Sequence, residues 1–210
     1  SQGCGACRSA DPVLRDLAHK PGVIALTLPV TYWDYLGWKD TLASTSFTAR
    51  QRAYAGMRGD RQVFTPQAVV NGAATVVGSD RAALERSIRD PGTAASLPVR
   101  IRSEAAPDRI VIDVGPAPEA GRTAELWLLP VARTREVAIG RGENHGRTIT
   151  YTNVVKRWVK LGDWNGKSET FNVPLNDLHT ADVDSVAVLV QSGVASAPKM
   201  MLGAAQASLK

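Results

Sequence analysis

The 210-residue chain is short of cysteine, histidine and aromatic side chains, and each shortage narrows what it does. Two cysteines make one disulfide at most, so this is not a disulfide-stapled scaffold. A structural zinc centre takes four ligands, and His19, His145 and His179 are too scattered to complete one beside the cysteines. No apolar run approaches the roughly 20 residues of a membrane-spanning helix; the longest, 23–28 and 186–190, have the length of strands. There is no polybasic block. The net charge of +5 comes from arginines spread along the sequence, and its densest cluster, Lys156, Arg157 and Lys160 around Trp158, lacks the basic stripe and recognisable module of a nucleic-acid binder. Signal-peptide features, internal repeats and low-complexity tracts are missing as well. A chain that opens at Ser1 without an initiator Met reads as a mature, processed or trimmed product. The composition, 44% hydrophobic, suits one large domain or two small ones. A soluble protein is expected, with no membrane span, nucleic acid, metal or cofactor, and with its oligomeric state open.

What the chain does have is a cysteine pair in its first seven residues, Cys4-Gly5-Ala6-Cys7, directly before a helical pattern carried by Val13, Leu14 and Leu17. A thiolate at a helix N-terminus meets unpaired amides and the positive end of the macrodipole, which lowers its pKa from about 8.5 to roughly 7 or below. On this reading Cys4 is a solvent-accessible attacking sulfur. Cys7, about one turn further in, displaces the mixed disulfide that Cys4 forms with a partner. Two other readings stay open. A structural staple closing so short a loop contributes roughly 2 kcal/mol in the chain-entropy view, and two soft thiolates also suit Cu(I).

The two halves of the sequence differ in period. Up to residue 89, helix and strand patterns alternate: a buried strand over 23–28, a helix over 46–57 with Ser46 as its cap, a strand over 63–70 leading into Asn71-Gly72 and a return over 75–77, then a helix from Ser79 or Asp80. Residues 90–96 have the composition of a linker. Beyond it the helical period disappears, and strands are expected over 97–102, 109–114, 124–131, 135–139, 148–155, 169–173 and 185–191, as in an all-β sandwich. The expected division is a domain over 1–92 and a β-sandwich-like domain over 97–210.

The order of elements in the first half, with CxxC opening the first helix and Thr65-Pro66 opening the hairpin strand, resembles the thioredoxin fold. The resemblance implies an α/β thioredoxin-like domain followed by the all-β one, and a cis Thr65–Pro66 bond facing the cysteines. The bare alternative is a strand-start proline. In the thioredoxin-like arrangement the backbone of Thr65 offers its amide and carbonyl to an extended substrate.

A closer resemblance rests on Ser1-Gln2-Gly3-Cys4-x-x-Cys7, Tyr32-Trp33-Asp34-Tyr35-Leu36-Gly37-Trp38-Lys39-Asp40, Phe47-Thr48-Ala49-Arg50-Gln51-Arg52-Ala53-Tyr54, Thr65-Pro66-Gln67 and Gly142-Glu143-Asn144-x-Gly146-Arg147-Thr148. Together these are similar to a family of secreted bacterial proteins, domain of unknown function 1223, with a thioredoxin-like N-terminal part. The resemblance implies a periplasmic or secreted location, thiol–disulfide activity and protein thiols or disulfides as partners. This chain departs from it in three places. The strand expected immediately before Ser1 is absent, so either the chain is incomplete or another segment fills that place. Arg8-Ser9 stands where prolines are expected, and Pro29-Val30-Thr31 where a His-Val-Asp is expected, which removes a proton shuttle or metal ligand. The charge of Arg8 favours a thiolate, whereas a cation in the first turn opposes the helix dipole.

Other candidates have bland readings beside the chemical ones. Tyr32, Trp33, Tyr35 and Trp38 either wall a substrate groove, with Trp33 in contact with substrate, or form a seam between the two halves. Asp34 is a proton acceptor for Cys7 or, more simply, a capping carboxylate. Glu143, Asn144, His145 and Arg147 read as a hairpin loop with Asn144 and Gly146 at positive φ and Glu143 paired to Arg147. Met200 and Met201 read as core. The resulting expectation is an extracytoplasmic thiol–disulfide oxidoreductase with Cys4 as nucleophile, Cys7 as resolving residue, and Thr65, Pro66 and Trp33 contacting substrate. The alternatives are a binding scaffold with a structural disulfide and a Cu(I)-handling protein.

Overall fold

The computed structural model describes residues 1–60, 62–105, 108–119, 121–178 and 182–209. Its heart is the pair β5 (Ala124–Ile139) and β9 (Ser185–Val194), which run antiparallel in the middle of a five-stranded sheet. Residues 124–132 are buried without a break, the pattern of a strand covered on both faces. Their side chains alternate: Leu126 and Leu128 enter one core with Val186, Val188 and Val190, while Trp127, Leu129 and Val131 enter another with Ala187 and Leu189. Past Ala132 the strand emerges into water. There β6 (Arg147–Val155) takes over from β7 (Val159–Trp164) as its partner, and β10 (Ala197–Ser208) lies on the far side of β9.

The first core is closed by a second sheet, β3 (Val99–Ala105), β4 (Asp108–Val114) and β8 (Glu169–Pro174), through Ile110, Ile112, Val114 and Val173. The second is closed by the helix α2 (Thr45–Arg58), capped by the Ser44 side chain, whose Phe47 is 2% exposed among the β5 and β9 residues. Arg50 of α2 is buried with its guanidinium carbon 3.6 Å from the Trp158 ring centroid, and it donates to Gln191 and to the Tyr54 hydroxyl. Desolvation lowers its pKa from the ordinary arginine value. The basic cluster at 156–160 therefore contributes Trp158 to the interior.

The sequence residues ahead of β3 supply few strands. β1 (Gln67–Val70) and β2 (Ala74–Val77) form a hairpin whose turn holds Asn71 at φ 50° and Gly72 at φ 71°, as Asn-Gly predicts. Helices α1 (Ala10–Ala18) and α3 (Arg81–Arg89, capped by Asp80) pack on it through Val13, Leu17, Leu84 and Val70. Residues 23–28, expected as a strand, make one parallel bridge, Thr27 to Val154 of β6. Thr27 takes both of its ladder bonds from β6, with its N–H on Asn153 O and its carbonyl accepting from Val155 N–H. Asn153, at φ 49°, adds a side-chain bond to Ala25 O.

The expected α/β thioredoxin-like domain followed by a sandwich-like domain is thus corrected. The protein is mostly β, 40% strand and 23% helix, built from curled antiparallel sheets with few helices. The reason is where the apolar run 23–28 goes. It joins β6 instead of pairing with β1, against which it packs only through side chains such as Ala25 on Val70, and the two segments line a cavity of about 570 Å³ with Leu14 and Leu17 of α1 and Phe47 and Tyr54 of α2.

No helix among the described residues is long and apolar enough to cross a membrane.

Candidate functional site

Cys4 and Cys7 are joined in a disulfide, with Cα atoms 5.4 Å apart. Cys4 caps a 3-10 turn, Gly5–Ser9, that leads into α1, and its Sγ accepts from the Cys7 amide at 3.2 Å. The Thr65–Pro66 bond is cis and lies beside the pair: the Thr65 hydroxyl donates to Cys4 Sγ at 3.3 Å. Trp33 donates through its indole N–H to the same hydroxyl at 2.8 Å. Pro66 is fixed by the Gly78 amide, which donates to its carbonyl. All five residues assigned to the site from the sequence therefore meet in one place, with Trp33 reaching the sulfur through Thr65.

The accessibility expected of Cys4 is corrected. Its residue exposure is 0%, and that of Cys7 is 7%. The sulfur does not stand open at the mouth of a long helix, because a buried network covers the backbone on both sides of it. Gln2 donates its amide to Asp40 Oδ2 at 2.6 Å, and its side-chain oxygen accepts from the Trp38 indole at 2.7 Å and the Thr41 amide at 3.2 Å. Asn144, from the loop between β5 and β6, donates to both Gln2 O at 2.8 Å and Cys4 O at 3.1 Å. Its neighbour Glu143 accepts the Gly5 amide at 2.7 Å.

These contacts overturn the plain hairpin reading of that loop. Positive φ falls on Gly142 and Gly146 and not on Asn144, and Glu143 is bonded to Gly5 instead of paired with Arg147. Gln2, Asp40, Glu143 and Asn144 are the site residues that sequence reasoning missed as a group. Gln2, Asp40, Glu143 and Asn144 all lie within the quoted motifs, but nothing local reveals contacts that span 38 positions from Gln2 to Asp40 and 138 to 142 for Glu143 and Asn144.

The aromatic segment links both halves of the site. Trp33 stacks with Tyr35 at 6.3 Å between ring centroids, and Tyr35 is 77% exposed. Trp38 lies against Gly140, where a Cβ would meet its ring at 2.9 Å. Asp34 caps no helix; it accepts from the Asp40 amide at 3.1 Å across the loop. Asp11 of α1 lines the 570 Å³ cavity together with Cys7, and burial pushes its carboxyl up to about 6. Burial and the charges of Asp11 and Asp40 also raise the Tyr151 phenol.

Among the described residues no cluster of three or more His, Cys, Asp or Glu side chains is arranged for a metal. His179 lies outside the described residues. Met201 packs into the core beneath α2.

The family model described as "Protein of unknown function (DUF1223)" matches residues 1–191. No curated protein matches the chain. Among solved structures, it is similar to an X-ray crystal structure of a protein from Agrobacterium tumefaciens determined by structural genomics. The two share 31% identity over 98% of this chain and 89% of that one, with a TM-score of 0.86. With the family model spanning the cysteine pair, the aromatic segment, Thr65-Pro66 and the Glu143–Asn144 loop alike, the chain belongs to this family, Protein of unknown function (DUF1223).

Proposed function

We propose that the chain is an extracytoplasmic thiol–disulfide oxidoreductase that works through Cys4 and Cys7. The observation that carries this reading is the convergence of two donors, the Thr65 hydroxyl and the Cys7 amide, on the sulfur of Cys4. The Cys7 amide also caps the turn; the Thr65 hydroxyl, brought from 61 positions away, is the donor that a thiolate uses and a staple does not need. In the reduced protein the Cys4 thiolate attacks one sulfur of a partner disulfide, and the other partner sulfur leaves as a thiolate. Cys7, deprotonated, then attacks Cys4 of the mixed disulfide. The intramolecular disulfide closes and the second partner thiolate is expelled, so two electrons pass from this chain to the partner. A dithiol protein restores the reduced pair by the reverse exchange.

Asp11, the one carboxylate among the described residues that lines the cavity bordered by Cys7, is the group we assign to take the Cys7 proton. Thr65 serves the partner as well as the sulfur. Its own N–H and C=O make no hydrogen bond to another described residue, so an extended partner segment can pair with them. A location outside the cytoplasm is where a disulfide of this kind persists.

The burial of Cys4 favours a second reading, a binding scaffold with a structural disulfide. Turnover of an aromatic disulfide such as dithiobis-nitrobenzoate separates the two. The oxidoreductase reading expects catalysis by the wild type under a thiol reductant and none by Cys4→Ser. Equal rates for both proteins would establish the scaffold.

A further inference from the structure

Gly5, inside the CxxC, holds a helical backbone that any residue adopts, since it is not among the glycines at positive φ. A side chain there would displace only the end of a flexible neighbour. A Cβ there would meet Glu143 Oε2 at 2.7 Å, and that oxygen accepts the Gly5 amide. The carboxylate is delivered by an anchored loop. Asn144 is buried and tied to Gln2 O and Cys4 O, Gly140 abuts Trp38, and Gly142 lies by Leu36. A negative charge is thus held one residue from Cys4 by its bond to the Gly5 amide.

We infer that Glu143 is a positioning residue that biases the cysteine pair toward its disulfide, making the dithiol form an electron donor. This rests on the proposed oxidoreductase reading for its biological meaning, not for its physics. A like charge disfavours the Cys4 thiolate, while the disulfide carries no charge to be repelled. The other charged groups nearby are of both signs, and it is the contribution of Glu143 alone that its removal isolates. Asp40 is bonded to the Gln2 amide, Asp34 to Asp40, and Asp11 lines the cavity with Cys7. Arg8 and His145 point to solvent as exposed residues, and the Ser1 nitrogen lies 3.8 Å from the other sulfur, Cys7 Sγ. Thr65 and Glu143 therefore act against each other on one atom, the first stabilising the thiolate and the second limiting it. Glu143 is itself exposed, so water screens its charge and the effect is a few-fold one.

The test is the thiolate absorbance at 240 nm, titrated in a Cys7→Ser background so that Cys4 alone is read. Glu143→Gln keeps the shape and removes the charge. Gly5→Ala keeps the charge and displaces it from the amide. Both are expected to lower the Cys4 midpoint by roughly half a pH unit, about a threefold gain in thiolate at a given pH. Unchanged midpoints in the two variants, each with wild-type circular dichroism, would overturn the inference. A lowered midpoint in a protein that catalyses no disulfide exchange would uphold the role of Glu143 and defeat the oxidoreductase reading alone.

Discussion

The hydroxyl of Thr65 donates a hydrogen bond to the sulfur of Cys4 at 3.3 Å, across 61 positions of sequence. Removing it tests whether the bond serves the sulfur or only the packing. Thr65→Val keeps the shape and deletes the donor. A bond of about 1 kcal/mol to the charged form corresponds to a rise of about 0.7 in the Cys4 thiol pKa and a fall of about threefold in exchange rate near neutral pH. Thr65→Ser restores both. The pH profile of alkylation in the reduced protein reads the shift, and equal profiles for the three proteins would contradict it.

Asp11 sets a pH dependence of stability with a definite sign. Its carboxyl is raised from 3.8 to about 6 in the folded protein, so folding favours the protonated form. That contribution is fully present below pH 4 and is lost as the pH rises through 6. The loss by pH 7 is up to about 2 to 3 kcal/mol. Asp11→Asn is expected to be more stable than wild type at pH 7 and equal to it at pH 3.5 in urea unfolding. It should also slow the resolving step, because the acceptor for the Cys7 proton is gone. A variant that is less stable at pH 7 would show that the carboxyl is not penalised by burial.

Asn144 holds the covering loop on the disulfide. Asn144→Ala leaves the carbonyls of Gln2 and Cys4 without their side-chain donor, at a cost of about 2 to 3 kcal/mol. Dithiothreitol should reduce the pair several-fold faster in this variant, since the cover over Cys4 loosens. Asn144→Asp should be at least as destabilising, because it sets a carboxylate against two carbonyl oxygens. Reduction rates matching wild type would mean that the loop does not control access.

What could be read from the sequence was whatever is local. The helix α2, the Asn71-Gly72 turn and the buried runs of β4 and β9 follow from period and turn chemistry alone. β5 reads as two strands because Arg133 and Thr134 break the apolar run, yet they mark only where one long strand leaves the core. β7 carries Lys160, Gly162 and Asp163 and shows no strand signal; its pairing with β5 is a tertiary matter. The run 23–28 has the composition of a strand, but composition does not choose a partner, and its attachment to β6 is what changes the architecture.

The same division holds at the site. Cys4, Cys7, Thr65 and Trp33 announce themselves by residue type and spacing. Gln2 and Asn144 do not, because an amide that satisfies two distant carbonyls looks in sequence like any surface polar residue.

Cys4, although covered in the disulfide form, is proposed to become the attacking sulfur once the pair is reduced. Mass spectrometry of a Cys7→Ser variant incubated with a disulfide-bonded peptide measures this directly. A peptide adduct on Cys4 is expected, accumulating because nothing resolves it, and absent from Cys4→Ser under the same conditions. A Cys7→Ser protein that stays unmodified, or a Cys4→Ser protein that carries the adduct on Cys7 instead, would contradict it.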